Sequence, residues 1–280
     1  MNDQLHALLR ETARQGGHVT VLTGAGISAE SGIPTFRGPE GYWTVGSAVY
    51  RPEEMATWAM FSRRPEEVWG WYLYRLDVCR RAEPNAGHRA LAAMERLLGE
   101  RFTLITQNVD GLHPRAGNSP ERTLEIHGNI HKMRCAVACG EAVYPIPESA
   151  LTADDGGTAR LADLPRCPRC GALARPHVLL FDECYNEAHY RFDSALAAAA
   201  RTDLLIVVGT SGATNLPNQV ARLAAQRGGA IVDVNVGDNP FAELARRSGR
   251  GFVCRGPAAA ILPEMAETMA AALAAAPEPG

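Results

Sequence analysis

Gly24-Ala25-Gly26-Ile27-Ser28-Ala29-Glu30-Ser31-Gly32-Ile33-Pro34-Thr35-Phe36-Arg37-Gly38 directly follows the apolar run Val19-Thr20-Val21-Leu22-Thr23. The run is short, β-branched and bounded by glycine, which predicts a buried strand. Glycines at 24 and 26 allow a sharp turn and a close approach of the backbone to a ligand. Free N–H groups of such a loop, and of a helix opening after it, suit a pyrophosphate. Gly-x-Gly alone also occurs in turns that bind nothing. The rest of the stretch is less ordinary: two serines, a Gly-Ile-Pro turn, then an aromatic beside an arginine in a polar loop.

Outward from this loop, four more apolar runs follow, at Phe102–Thr106, Val178–Phe181, Leu204–Val208 and Ile231–Val234. Each is nearly continuous rather than alternating, as parallel strands covered on both faces require. Helical patterns lie at Ala86–Leu98, Tyr190–Ala200 and Leu216–Gln226. Strands alternating with helices predict an α/β fold with a doubly wound, Rossmann-like parallel sheet whose ligands sit at the carboxyl ends of the strands. Gly24, Gln107-Asn108-Val109-Asp110, Gly209-Thr210-Ser211 and Asn235 all fall at or just after a strand end. Two segments break the rhythm, 39–84 and 131–175. They are read as insertions forming a small domain, a helical module plus a cysteine module. The large domain then comprises 1–38, 85–130 and 176–280.

The 280 residues carry 46% hydrophobic and 21% charged side chains and a net charge of −3, an ordinary globular balance that excludes a broad nucleic-acid footprint. No apolar run has the length of a membrane span. The N-terminus reads as an amphipathic helix rather than a signal peptide. Seven cysteines, an odd number without a secretory signal, point to a reducing cytoplasm. Four of them form close pairs, Cys135 with Cys139 and Cys167 with Cys170. Such pairs can offer four thiolates to one tetrahedral Zn²⁺, and a closed four-thiolate site is structural rather than catalytic.

Gln107, Asn108 and Asp110 form a polar cluster at a strand end, costly to bury unless hydrogen-bonded. Amides and a carboxylate there could hold a ribose, a carboxamide and an ordered water. His127, in Leu124-Glu125-Ile126-His127-Gly128, could serve as a general base near neutral pH, with Gly128 leaving room for substrate. On chemistry alone His113 and His131 are equal rivals.

These motifs, taken in order, resemble the sirtuins, NAD-dependent protein deacylases, over about residues 18 to 265. The Gly24–Gly38 stretch is similar to their cofactor loop, Thr106–Asp110 to their Thr-Gln-Asn-Val-Asp segment, and His127-Gly128 to the His-Gly of their catalytic base. The resemblance implies NAD as cofactor, acylated lysine side chains of proteins as partners, and one structural zinc on the four cysteines. It implies that Gly24, Ala25, Gly26, Ser28, Thr35, Phe36, Arg37 and Trp43 line the cofactor. Gln107 and Val109 accompany Asn108 and Asp110 at the nicotinamide ribose and carboxamide. Gly209, Thr210 and Ser211 contact phosphate and ribose, Asn235, Val236 and Gly237 the adenosine ribose, and Ala258 the adenine. Mono-ADP-ribosyl transfer from the same site, and non-catalytic NAD sensing, are the rival functions.

Two departures stand out. Asp182 replaces a common glycine in Phe181-Asp182-Glu183, and Thr214-Asn215 replaces the usual residues after Gly212-Ala213. Finally, Tyr72 and Arg75 are three apart on a predicted helix and so share a face. They match the Tyr-x-x-Arg of sirtuins that remove succinyl, malonyl or glutaryl groups, since a phenol and a guanidinium can grip a terminal carboxylate. Ala56 and Thr35 fit the same branch, Ala56 by leaving room for a longer acyl chain.

Overall fold

A computed structural model describes residues 1–35, 52–148, 151–153, 159–161 and 163–275. Its main sheet is built from β1 (Val19–Thr23), β2 (Phe102–Thr106), β3 (Thr123–Glu125), β9 (Leu204–Val208), β10 (Ala230–Asn235) and β11 (Gly251–Arg255). The strand order is β11-β10-β9-β1-β2-β3, and every pairing is parallel. β1, β2 and β9 are buried at all five positions, which is why their sequences run apolar without alternation.

Helices cover both faces. On one side α1 (Asp3–Arg14), α6 (Ala86–Leu98) and α12 (Ala258–Ala274) bury leucines and methionines against Val21, Leu104, Ile206 and Val232. On the other, α9 (Phe192–Ala200), α10 (Asn215–Gln226) and α11 (Pro240–Arg247) pack on Leu22, Ile105, Leu205 and Ile231. Alternate residues of each strand thus feed opposite cores, each large side chain worth ~1.5–3 kcal/mol of burial. The doubly wound sheet stands as read. Order reverses between β1 and β9, so the loops after these strands open the crevice that such sheets use for ligands.

A second, antiparallel sheet, β5-β4-β8, is formed by β4 (Gly128–Cys135), β5 (Val143–Pro145) and β8 (Ala174–Val178), and β6 (Leu151–Ala153) pairs with β7 (Ala159–Leu161). This corrects the reading of Val178–Phe181 as a parallel strand. The segment ends β8 of the small sheet and continues as a turn. β3 and β11, too short or too polar to stand out in sequence, complete the main sheet instead. The small sheet packs on α5 (Pro65–Arg81), α3 (Pro52–Met55) and α4 (Trp58–Arg63) through Trp69, Tyr72, Leu76, Met133 and Val178. Short helices α2 (Gly26–Ala29), α7 (Leu112–Ala116) and α8 (Glu187–Tyr190) sit in the connections. Among the described residues no helix is long and apolar enough to cross a membrane.

Candidate active site

The loop after β1 is locked to the loop after β9. Gly24 N–H donates to the Val208 carbonyl (2.9 Å) and Gly26 N–H to the Gly209 carbonyl (2.8 Å). A Cβ on Gly24 would lie 2.7 Å from Thr210 Cβ, and one on Gly26 2.6 Å from Gly209 Cα. Both glycines are therefore required by loop-on-loop packing at the switch point, a different reason from the ligand approach inferred from sequence. Ala25 stands between them as the residue entering α2.

Behind this crossing lies a buried polar network. Ser28 Oγ donates to Asp110 Oδ2 (2.7 Å), and Asn108 Nδ2 donates to Ser28 Oγ and to the Gly24 carbonyl (3.1 Å each). Asp110 also accepts from Leu112 N–H at 2.9 Å, yet burial pushes its carboxyl above the ordinary range. Gln107 is held throughout: its Nε2 donates to Thr210 Oγ1 (2.9 Å) and the Thr23 carbonyl (3.2 Å), and its Oε1 accepts from Thr214 Oγ1 (3.0 Å). Val109 packs against the core between α5 and the small sheet, and its carbonyl accepts from Ile130 N–H.

His127 follows β3 at the carboxyl end of the sheet. Its Nδ1 lies 3.0 Å from the Gln107 carbonyl and its Nε2 2.8 Å from Tyr185 Oη. Burial lowers its pKa to about 4, so the imidazole is neutral at physiological pH. The rivals are placed differently. His113 is buried beneath the loops with Nε2 on Thr23 Oγ1 (3.0 Å), and His131 Nε2 is taken up by the Asp110 carbonyl (2.9 Å). Gly128 does not open room for substrate as expected: it has φ +82°, and a Cβ there would collide with the His177 carbonyl of β8. The glycine is needed for the β4–β8 pairing.

Along the crevice, Thr210 is buried and Ser211 exposed. Asn235 ends β10, its Nδ2 on the buried Asp233 carboxylate at 2.6 Å, while Val236 projects into solvent and the Gly237 carbonyl accepts from Arg255. Ala258 starts α12 and is buried beside Gly87. Thr35 is half-buried. Phe36, Arg37 and Trp43 lie outside the described residues.

The expected helix face on α5 is present. Tyr72 and Arg75 are 2% and 6% exposed, so neither side chain is a solvated surface group. The Arg75 guanidinium lies 4.7 Å over the Trp71 ring. Tyr72 Oη is buried without a hydrogen-bond partner among the described residues, an orphaned donor of the kind a ligand satisfies. Ala56, 4% exposed, accepts from Phe181 N–H at 2.9 Å.

The four cysteines converge. Their sulfurs all lie within 4.8 Å of one another, with Cys135–Cys170 and Cys139–Cys167 at 3.6 Å. Tetrahedral Zn–S bonds of ~2.3 Å set sulfurs about 3.8 Å apart, so the cluster fits a zinc ion. The three-residue spacer turns through Ala138 at φ +49°, which absorbs the extra residue before Cys139.

Sequence reasoning missed Glu183 and Tyr185. Glu183 accepts a fork from the buried Arg175 (2.5 and 2.9 Å) plus Leu180 N–H, so burial is outweighed and its carboxyl is held below the usual range. The atypical Asp182 caps α4, accepting from Trp58 and Ala59 N–H at 2.7 and 3.1 Å. Arg175 meets Glu183 across an irregular turn and His127 lies 58 positions from Tyr185, so no helix or strand period marked these residues.

The Sir2 family pattern matches residues 24–215. An NAD-dependent protein deacylase of Thermus thermophilus is 40% identical over 264 residues, 93% of this chain and 95% of the relative. NAD-dependent protein deacylase 1 of Archaeoglobus fulgidus is 40% identical over 243 residues, 87% and 91% of the two chains. The crystal structure of a Sir2 homologue–NAD complex superposes with a TM-score of 0.79 at 35% identity, covering 98% of this chain and 95% of that one.

Proposed function

This chain belongs to the Sir2 family, and from that premise we propose that it is an NAD-dependent protein deacylase that removes acetyl and succinyl or malonyl groups from lysine side chains. The observation that carries the reading is His127: a neutral imidazole, its Nδ1 set on a carbonyl, beside the Asn108–Asp110 network at the carboxyl end of the sheet. NAD, consumed in the reaction, supplies a ribose that loses nicotinamide and ends up carrying the acyl group.

The chain's own residues orient and deprotonate. Gly24, Ala25, Gly26 and Ser28, with Thr35, Phe36, Arg37 and Trp43, form the cofactor loop. Asn108 and Asp110 hold the nicotinamide ribose and carboxamide, positioned by Gln107 and Val109. Gly209, Thr210 and Ser211 serve phosphate and ribose. Asn235, Val236 and Gly237 run along the adenosine ribose and Ala258 meets the adenine. His127 Nε2 takes up the proton of the ribose hydroxyl, a contribution of about 10²–10⁴-fold. Tyr72 and Arg75 grip the carboxylate of an acidic acyl chain, with Ala56 leaving it room, and the orphaned Tyr72 hydroxyl supports this. Zinc on Cys135, Cys139, Cys167 and Cys170 keeps the small sheet's end folded. We place the division into large and small domains as read from sequence, with β4 and β8 crossing it, and the enzyme in the cytoplasm, which the seven cysteines support.

The test is mass spectrometry of acetyl- and succinyl-lysine peptides incubated with and without NAD. Free lysine with acyl-ADP-ribose, only when NAD is present, is the expected outcome. ADP-ribosylated protein without deacylation, or NAD binding without turnover, overturns the reading.

A further inference from the structure

The atom of His127 that the chemistry requires is already occupied. The Gln107 carbonyl can only accept, so His127 Nδ1 carries the proton and Nε2 the lone pair. Tyr185 Oη, 2.8 Å away, therefore donates to Nε2. Burial pushes the Tyr185 phenol up to about 12, so it keeps its proton at neutral pH. Nearby, Thr214 Oγ1 donates to Gln107 Oε1 (3.0 Å), and the Gln107 backbone carbonyl accepts from His127 Nδ1. The segment after Phe181 thus reaches His127 through Tyr185, and the one after Ala213 reaches the Gln107 side chain through Thr214.

The phenol is built in rather than loosely placed. On one side of Tyr185, Glu183 is clasped by Arg175 and Arg134, and Asp182 caps α4. On the other, Asn186 caps α8 by accepting from His189 N–H (2.8 Å), and the Tyr185 ring packs on Phe192 at 6.4 Å. A hydroxyl arriving at Nε2 meets this fixed oxygen. Packing on Phe192 alone would require no hydroxyl.

We infer that Tyr185 is a proton relay standing between the substrate's ribose hydroxyl and His127. As the ribose oxygen bonds to the acyl carbon, its O–H breaks and the proton passes to Tyr185 Oη. The original Tyr185 O–H breaks in the same motion, and an N–H bond forms on the Nε2 lone pair. The tyrosine ends neutral and the imidazolium holds the proton, its Nδ1–H still on the Gln107 carbonyl. The inference rests on the deacylase reading above.

Tyr185→Phe removes one oxygen and tests it. Exchange of labelled nicotinamide into NAD, with acetyl-lysine peptide present, precedes the base-dependent step and should stay within about twofold of wild type, while acyl-ADP-ribose formation falls at least about 10²-fold. His127→Ala/Tyr185→Phe should be no slower than His127→Ala, because the two act as one unit. In the ligand-free protein, ¹⁵N NMR should show the His127 Nε2 resonance moving toward that of an unbonded acceptor in Tyr185→Phe, with Nδ1 still protonated. Wild-type acyl transfer in Tyr185→Phe, parallel loss of exchange and transfer, or an unmoved Nε2 resonance would overturn the relay. Near wild-type transfer in His127→Ala would instead overturn the deacylase reading itself.

Discussion

At the scale of single residues, function turns on groups whose charge the fold has reset. His127 is kept neutral by burial, with a pKa of about 4, so a base is present well below the usual histidine range. Deacylation should therefore hold as pH falls through 6.5 and fail only toward pH 4; a pH–rate profile of acyl transfer checks this. Replacing His127 by Ala should leave NAD binding intact by calorimetry and reduce deacylation about 10²–10⁴-fold, roughly 3–5 kcal/mol. Arg75 and Tyr72 set the acyl preference under the same reading. Arg75→Met should raise KM for succinyl-lysine by about 2–4 kcal/mol of lost binding while acetyl-lysine, which has no carboxylate, is nearly unaffected. Tyr72→Phe should act in the same direction at about 1 kcal/mol, because one hydrogen bond is lost. Equal losses on both substrates in steady-state assays would reduce the pair to wall packing.

Among the elements, the end of the small sheet depends on its four sulfurs. Cys135 ends β4, Cys139 follows the left-handed Ala138, and Cys167 and Cys170 flank a turn closed by Gly171 N–H on the Cys167 carbonyl at 2.9 Å. Little apolar burial holds this knuckle, with Cys170 and Val137 exposed. Metal should supply much of its stability. Elemental analysis should find about one zinc per chain, and Cys167→Ala should release it and lower the melting temperature. A metal-free protein that melts like wild type would show the cluster to be incidental. The segment from Phe181 to Asn186 depends on charge in a similar way. Arg175 is 1% exposed and Glu183 is its carboxylate partner, so the clasp fixes the turn leading to Tyr185.

Across the whole molecule, burial of histidines ties stability to pH. His88 and His127 are lowered to about 4, His177 to about 3 and His113 well below its ordinary value, all chiefly by burial. Unfolding frees these rings to titrate near 6.5, so between that value and about 4 the unfolded chain binds more protons than the folded one. Stability is fully present above pH 6.5 and falls as pH drops through this window, by about 1–2 kcal/mol per buried histidine between pH 7 and pH 5. Asp110 and Asp233, raised by burial, oppose the trend, since they bind protons more readily when folded. Four rings outweigh two carboxyls, so urea unfolding should give a lower midpoint at pH 5 than at pH 7.5. A flat or inverted profile would show these rings to be solvated.

Sequence by itself determined whatever depends on near neighbours along the chain. The strands Val19–Thr23, Phe102–Thr106 and Leu204–Val208 and the helix Ala86–Leu98 appear with the bounds their patterns give, because full burial demands continuous apolar runs and helical packing a 3.6-residue period. The Cys pairs and the Tyr72–Arg75 face were legible for the same reason: their spacing is local, and the chemistry of four thiols or a phenol beside a guanidinium is fixed by residue type. Tertiary structure decided the rest. Val178–Phe181 has strand composition, but only the pairing of β8 with β4 assigns it to the small sheet. His127 was singled out over His113 and His131 by the resemblance, but their distinct surroundings, His127 on the Gln107 carbonyl, His113 on Thr23 and His131 on the Asp110 carbonyl, arise only where the chain's loops meet. Gly24, Gly26 and Gly128 proved necessary for reasons invisible in their own segments, since the atoms that exclude a Cβ come from residues 177, 209 and 210. Tyr185 is 58 positions from His127, a separation no periodicity encodes. Contacts of that kind exist only once long-range packing has closed the loops between them.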